Sequence, residues 1–196
     1  MIINWKSPIR AASVALLLVA SALVFAIPPQ SRTVNRLSRP NEPVQITAVR
    51  VSGKPVGFGK AFAGRNNWLG GLTCAIKNTS TKTVQWARVA LQFQKPKKPD
   101  VRLNDFMTYG IGHWDIDKIR GGGPPLKPGD TAEVSYSLEQ YQSTRDILDD
   151  MGYPQSIAQI EVRVDQVIFA DQPELMWIEG TMNEFHSPTG WRPIKP

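Results

Sequence analysis

The sequence contains a single cysteine, Cys74, among its 196 residues. One thiol excludes an internal disulfide and also excludes a metal site of the Cys-x-x-Cys type. In the stretch GLTCAIKN, Cys74 shares one face of a predicted strand with Leu72 and Ile76. We therefore expect a small buried side chain at this position and no reactive thiol.

Catalytic motifs are missing as well. The two histidines make a Ser-His-Asp triad arithmetically possible, but the sequence contains no Gly-x-Ser-x-Gly motif. The glycine run 121–123 continues into two prolines instead of Lys-Ser/Thr, which excludes a phosphate-binding loop. Asp149 and Asp150 are adjacent in a predicted helix, and adjacent helical side chains do not converge on one bond. We predict a protein that is not an enzyme and that needs no cofactor.

The net charge of +6 comes mainly from the N-terminal part of the chain. Five of the 23 basic residues and one of the 17 acidic residues precede residue 44, which leaves 18 basic and 16 acidic residues in 44–196. Such a small excess does not provide a general phosphate-binding surface. We therefore expect no nucleic-acid partner.

Only one long run of apolar residues is present. Residues 1–10 carry Lys6 and Arg10 without an acid, and residues 11–27 carry no charge. This pattern predicts a hydrophobic helix in 1–27 that serves as a signal peptide or as an N-terminal membrane anchor. Cleavage after Ala22 or Ala26 fits the small-residue rule. Either alternative places the domain outside the cytoplasm, in the periplasm or the extracellular space, with membrane contact only through 11–27 if the run is kept.

The rest of the chain divides into a linker and one domain. Residues 28–43 are rich in Pro, Arg, Ser and Asn and predict an extended linker. Alternating apolar residues follow from Val44, so we assign 44–196 to a β-sandwich domain. The alternation predicts strands at 44–51, 72–77, 84–93, 131–136 and 157–169, a last strand near 175–178, and a bulge at Asp165 and Gln166.

The turn sequence NTSTK joins the second and third predicted strands, and its shortness predicts that these two strands pair as a hairpin. Ser137 and Gln140 have capping-box spacing, and Gly152 can end a helix, so one short helix is predicted over 138–151. Many short strands with one helix favour a mainly β fold, an antiparallel β-sandwich, with a closed barrel as the alternative.

The stretches AIKNTSTKTVQWARVALQF and LKPGDTAEVSY resemble the B–C hairpin and the E strand of immunoglobulin-like sandwich domains in poorly characterised bacterial exported proteins. Trp86 lies near the position where such domains often keep a strand-C tryptophan. The resemblance implies an immunoglobulin-like fold and an exported location, and it implies no activity. A domain of the antibody type is excluded because Cys74 has no partner.

The connection 95–125 is the segment in which we expect a binding site, because connections longer than about 12–15 residues are usually functional or disordered. Its HWDID stretch brings His113, Asp115 and Asp117 to one face if the chain is extended, with Trp114 between them. These three residues and the aromatic residues Tyr109 and Trp114 are the predicted binding residues. One imidazole and two carboxylates would also suit Zn²⁺, Mn²⁺ or Fe²⁺.

Three functions therefore remain open from the sequence. The first is an exported, non-enzymatic module that binds a protein or another component of the cell envelope. The second is a metal-binding protein or metal-dependent hydrolase that uses His113, Asp115 and Asp117. The third is a structural subunit of an envelope assembly.

Export is testable with a fusion. A reporter enzyme that is active only outside the cytoplasm should be active when it is joined after Pro196, because the basic start and the apolar run 11–27 direct secretion. The control lacks residues 1–27 and should show no reporter activity. Reporter activity confined to the cytoplasm would contradict the prediction.

Overall fold

The computed structural model describes residues 30–94, 102–110, 123–186 and 190–194. These residues contain twelve strands, one α-helix and one 3-10 helix. In chain order the elements are β1 (Gln30–Arg36), β2 (Val44–Val51), β3 (Lys54–Val56), β4 (Ala61–Gly64), the 3-10 helix (Trp68–Gly71), β5 (Leu72–Asn78), β6 (Val84–Gln94), β7 (Arg102–Gly110), β8 (Thr131–Tyr136), α1 (Leu138–Asp150), β9 (Gln159–Phe169), β10 (Leu175–Ile178), β11 (Thr181–His186) and β12 (Gly190–Pro193).

The strands form two sheets. The small sheet has the order β3-β2-β5-β8, and all its pairs are antiparallel. In the large sheet, β6 lies between β7 and β9. On its other side, β9 pairs with β1 through residues 159–162 and with β10 through residues 166–168. β1 also pairs with β4, β10 also pairs with β11, and β11 pairs with β12.

Apolar side chains of both sheets form one core. Ile46 and Ile76 of the small sheet belong to the same buried cluster as Leu91 and Val162 of the large sheet. Burial of such side chains is the main stabilising contribution in a fold of this kind. The mainly β prediction, with two sheets and one helix, is therefore confirmed, and the arrangement is consistent with a β-sandwich. Among the described residues no strand pairing joins the two sheets into a closed barrel.

The predicted linker 28–43 is wrong for Gln30–Arg36, which form β1. Thr33–Arg36 pair with residues 159–162, and this pair is parallel, so the large sheet is not wholly antiparallel. The side chain of Val34 is fully buried and that of Arg32 is nearly so. The domain therefore extends at least to Gln30, and its first described strand is an inner strand between β9 and β4.

The predicted hairpin of the second and third strands is also wrong. β5 pairs with β2 and β8, whereas β6 pairs with β7 and β9, so the turn 79–83 crosses from one sheet to the other. The side chain of Asn78 stabilises this crossing through hydrogen bonds. Its buried side-chain amide donates to the carbonyls of Lys82 and Leu126, both at 2.8 Å. A polar side chain that satisfies two backbone acceptors stabilises a connection that has no strand ladder.

Two features of the long strands agree with the sequence pattern. Ala87, Val89, Leu91 and Phe93 share the core face of β6, in agreement with the alternation of apolar residues in 84–93. The register of β6 against β9 shifts from Arg88–Gln166 to Val89–Val164, which leaves Asp165 as the extra residue of a β-bulge. The bulge brings both oxygens of Asp165 within 3.1 Å of Nε of Arg88.

The predicted helix is confirmed as α1. The side chain of Ser137 accepts from the backbone of Gln140, and the side chain of Gln140 accepts from the backbone of Ser137, so the capping box is complete. Gly152 follows the helix with a φ of 71°. Leu138, the first residue of the helix, is 47% exposed. Among the described residues, no helix is both long enough and apolar enough to cross a membrane.

A hydrogen-bonded cluster joins the two sheets and the helix at one side of the sandwich. The hydroxyls of Tyr136 (β8) and Thr144 (α1) both donate to Oδ2 of Asp105 (β7), and the two hydroxyl oxygens are 2.7 Å apart. Tyr136 is almost completely buried. Burial, followed by the hydrogen bond to Asp105, raises the pKa of the Tyr136 phenol.

The two faces of β6, one buried and one exposed, provide a matched pair of substitutions. Leu91 is fully buried, so Leu91→Ala should lower the free energy of unfolding by about 2–5 kcal/mol through lost burial and the cavity that remains. Gln92 is on the opposite face and contacts Asn104 and Arg102 at the surface, so Gln92→Ala should change it by about 0.5 kcal/mol or less. Denaturant unfolding of the purified chain measures both, and similar losses in the two variants would contradict this facing.

The raised pKa of Tyr136 predicts a loss of stability at alkaline pH. Below about pH 10 the phenol is neutral in both the folded and the unfolded chain, so the contribution of Tyr136 to the free energy of unfolding is fully present. Above that pH the unfolded chain releases the proton and the folded chain keeps it. The free energy of unfolding should then fall by roughly 1.4 kcal/mol per pH unit from this residue alone.

Two variants separate this titration from the hydrogen bonds themselves. Tyr136→Phe should cost about 1–3 kcal/mol at neutral pH and should reduce the alkaline slope. Thr144→Val removes the other donor to Asp105 but no titrating group, so it should cost stability and keep the parent slope. Denaturant unfolding between about pH 9 and pH 11 gives the slopes. The explanation fails if the parent and Tyr136→Phe have equal slopes.

Candidate functional site

Tyr109 is the one residue of the five predicted binding residues that the structure describes. It lies at the end of β7 and is 7% exposed. Its hydroxyl donates to the carbonyl of Pro124 at 2.6 Å. Burial, and then the charge of Asp130, raises the pKa of this phenol. Tyr109 therefore holds the chain near Pro124 against β7 through this hydrogen bond. Because its side chain is buried, it offers little surface to a partner.

His113, Trp114, Asp115 and Asp117 lie outside the described residues, so their role in binding or as metal ligands stays a prediction. In the part of the chain that the structure describes, no three His, Cys, Asp or Glu side chains are grouped closely enough to hold a metal ion. Cys74 is buried, and burial raises the pKa of its thiol to about 12, in agreement with the expectation of an unreactive side chain.

A cleft of about 540 Å³ lies between the β2–β3 hairpin and the segment that follows β4. We call it the hairpin cleft. Its lining comes from residues 51, 52 and 54 of the hairpin, from residues 63–65, 67, 68, 70 and 71, and from Leu138 at the start of α1. The volume is in the range of sites for small ligands, about 300–1,000 Å³.

Two adjacent glycines allow the elements around the cleft to meet. A Cβ atom on Gly70 would lie 2.8 Å from Cδ1 of Leu138 and 3.0 Å from its Cα, so the start of α1 can approach only a glycine. A Cβ atom on Gly71 would lie 2.9 Å from Oγ of Ser52. The backbone of Ser52 also donates to the carbonyl of Gly71 at 2.8 Å. The hairpin and the helix are thus both held against the Gly70–Gly71 pair.

The wall behind the cleft is fixed by hydrogen bonds to one carbonyl. Nε1 of Trp68 and Nη1 of Arg32 both donate to the oxygen of Ile157, at 2.8 and 3.0 Å. Arg32 also donates through Nη2 to Oδ1 of Asn66 at 3.2 Å and, at 3.4 Å, through Nε to the carbonyl of Gly64. These bonds set the position of the turn between β4 and the 3-10 helix, where Arg65 and Asn67 face the cleft.

The helix contributes to the same wall. The hydroxyl of Tyr141 donates to the carbonyl of Asn66 at 3.0 Å, which fixes the first turn of α1 relative to residues 65–67. The capping box holds that turn in register, so Leu138 is displayed at the edge of the cleft. Its exposure follows from this placement.

The charge of the cleft is positive. Lys54 and Arg65 are exposed members of its lining, and none of the described residues that line it is acidic. Neither cation makes an ion pair with a described carboxylate. Buried Arg32 adds a third positive charge behind Gly64, because a guanidinium stays protonated in proteins. Burial lowers the pKa of Arg32 from its high ordinary value, and the charge of Tyr141 opposes this.

Sequence patterns do not identify this site. The segment 53–71 contains six glycines and reads as an irregular connection, and its residues meet Leu138 only in the folded chain. The one available indication is the WLGG stretch, in which a tryptophan precedes two adjacent glycines. Glycine pairs can mark a close approach of backbones.

Comparison of the chain with models of known protein families, with curated proteins and with solved structures finds no match.

Proposed function

We propose that this chain is an exported, non-enzymatic binding module of the cell envelope, built on an immunoglobulin-like sandwich, and that the hairpin cleft is its ligand site. The observation that carries the proposal is the cleft itself. It combines a ligand-sized volume with convergent polar groups, the cations of Lys54 and Arg65 and the amide of Asn67. Its shape is also fixed by bonds to Gly71, Ile157 and Asn66.

The chemistry of the lining supports binding rather than catalysis. Its side chains include cations, a hydroxyl and an amide, together with apolar groups. Among the described lining residues there is no carboxylate, imidazole or thiol that could serve as a general base beside the hydroxyl of Ser52. Such a set can recognise a ligand through charge and hydrogen bonds.

The strand order supports the immunoglobulin-like assignment. In such domains one sheet contains strands A, B and E, and the other contains C, F and G. β2, β5 and β8 follow the first order, and β6, β9 and β10 follow the second. Two departures are the parallel pairing of β1 with β9 and the position of Trp86. Trp86 packs in a small second cluster with Ile168 and Met176, away from the main core.

The basic start and the apolar run 11–27 support the exported location. This part of the proposal is tested by the reporter fusion described above, separately from the test of the ligand site.

The cleft can be filled by a substitution on an exposed strand position. Ala63 is an exposed lining residue of β4, so Ala63→Phe should occupy the cleft and leave the core unchanged. Ala61 is exposed on the same face of β4 and does not line the cleft, so Ala61→Phe is the matched control. Denaturant unfolding should give the same stability for both variants within about 0.5 kcal/mol.

The readout is retention of small molecules. The parent chain and both variants are immobilised and exposed to a small-molecule extract of the cell envelope, and the retained compounds are identified by mass spectrometry. We expect a compound that the parent and Ala61→Phe retain and that Ala63→Phe loses. The ligand site is disproved if the parent retains nothing, or if all three proteins retain the same compounds equally.

A further inference from the structure

We infer that the hairpin cleft binds an oxyanion, a carboxylate or a phosphate monoester, that is attached to a small apolar body. This inference rests on the binding function proposed above and names the class of ligand for the same site.

Lys54 and Arg65 differ from five arginines elsewhere in the described part of the chain. Arg36, Arg50, Arg88, Arg145 and Arg163 each contact a carboxylate of this chain. Lys54 and Arg65 have no such partner among the described residues, although they lie in a concave surface where a negative group could be accommodated. A charge that the fold leaves unpaired at the wall of a cleft is available to a ligand of opposite sign.

A buried positive charge lies behind the wall of the cleft. Arg32 is 1% exposed, and its hydrogen bonds go to two carbonyls and one amide oxygen, all of which are neutral. A buried positive charge without a carboxylate partner acts over a longer range than a solvated one, because the surrounding protein screens it less than water does. The stem of Arg32 packs against Gly64, which lines the cleft. An anion in the cleft therefore interacts favourably with three cations.

The cleft also offers apolar surface to a ligand. Leu138 is 47% exposed at the edge of the cleft, while Val51 and buried Trp68 add apolar surface to its lining. An apolar group that covers the exposed part of Leu138 removes that surface from water, which favours binding. The ligand thus has a charged end for Lys54 and Arg65 and an apolar end for Leu138.

The test uses four amphiphiles of equal chain length and different charge: octanoate, octyl phosphate, octanamide and octylamine. We expect octanoate and octyl phosphate to bind the purified full-length chain in calorimetric titrations, and octanamide and octylamine to bind at least about tenfold more weakly. Raising the salt from about 0.05 M to about 0.5 M should weaken binding of the two anions, because exposed charges are screened.

Matched variants assign the effect to the cleft. Lys54→Gln/Arg65→Gln should raise the dissociation constant of octanoate at least about tenfold. The control, Lys77→Gln/Arg192→Gln, removes the same charge from exposed positions outside the cleft lining and should leave the dissociation constant within about twofold of the parent value. Leu138→Ser should weaken octanoate and leave inorganic phosphate unchanged. Equal binding of the four amphiphiles, or equal effects of the two double variants, would overturn the inference.

Vesicles distinguish a lipid head group from a soluble ligand of the same chemistry. Binding to phosphatidic acid vesicles, whose head group is a phosphate monoester, that is lost in Lys54→Gln/Arg65→Gln assigns the oxyanion to a lipid. Octanoate binding without vesicle binding assigns it to a soluble amphiphile.

The two proposals fail in different ways. If the envelope extract yields a compound that Ala63→Phe alone loses, and that compound is neutral or cationic, the oxyanion inference is wrong and the binding function stands. If the parent retains no compound and binds none of the amphiphiles, both are wrong.

Discussion

The buried guanidinium of Arg32 is the constraint on which this arrangement depends. Its donors reach residues 64, 66 and 157, and the most distant acceptor is 125 positions away in the chain. Because a buried guanidinium without acceptors is strongly unfavourable, these carbonyls must stay in place whenever β1 is in the sheet. One side chain thereby couples the pairing of β1 with β9 to the position of the turn after β4. The sheet and the wall of the cleft are parts of one polar cluster.

The cleft itself is a consequence of how the surrounding elements approach one another. The hairpin contacts Gly71 and the helix contacts Gly70, so both elements are held against one pair of glycines. Trp68 fixes the adjacent wall through its hydrogen bond to the carbonyl of Ile157. Rigid surroundings reduce the entropy that a ligand must remove on binding, so a small set of contacts can suffice.

Local periodicity predicts the structural features that depend on residues close together in the sequence. It does not predict features that depend on contacts between distant residues. The facing of Leu91 and Gln92 and the capping of α1 follow from spacing alone, and both are confirmed. The role of β1 does not follow, because the acceptor that allows Arg32 to be buried, the carbonyl of Ile157, is 125 positions away in the chain. The cleft cannot be predicted from the sequence for the same reason. Lys54 and Leu138 are 84 positions apart and line the same cleft only in the folded chain.

The ordered β1 also limits how far the domain can reach. Between Ile27 and Gln30 there are three Cα–Cα steps, which span at most about 11 Å, whereas an extended linker up to Val44 would have spanned roughly 60 Å. An apolar run that stays in a membrane would therefore hold the Gln30 end of the domain, where Ser156 contacts Gln30, close to the head groups. Proteolytic removal of that run would then free the domain from the membrane, so that it would diffuse in three dimensions and no longer only along the membrane surface.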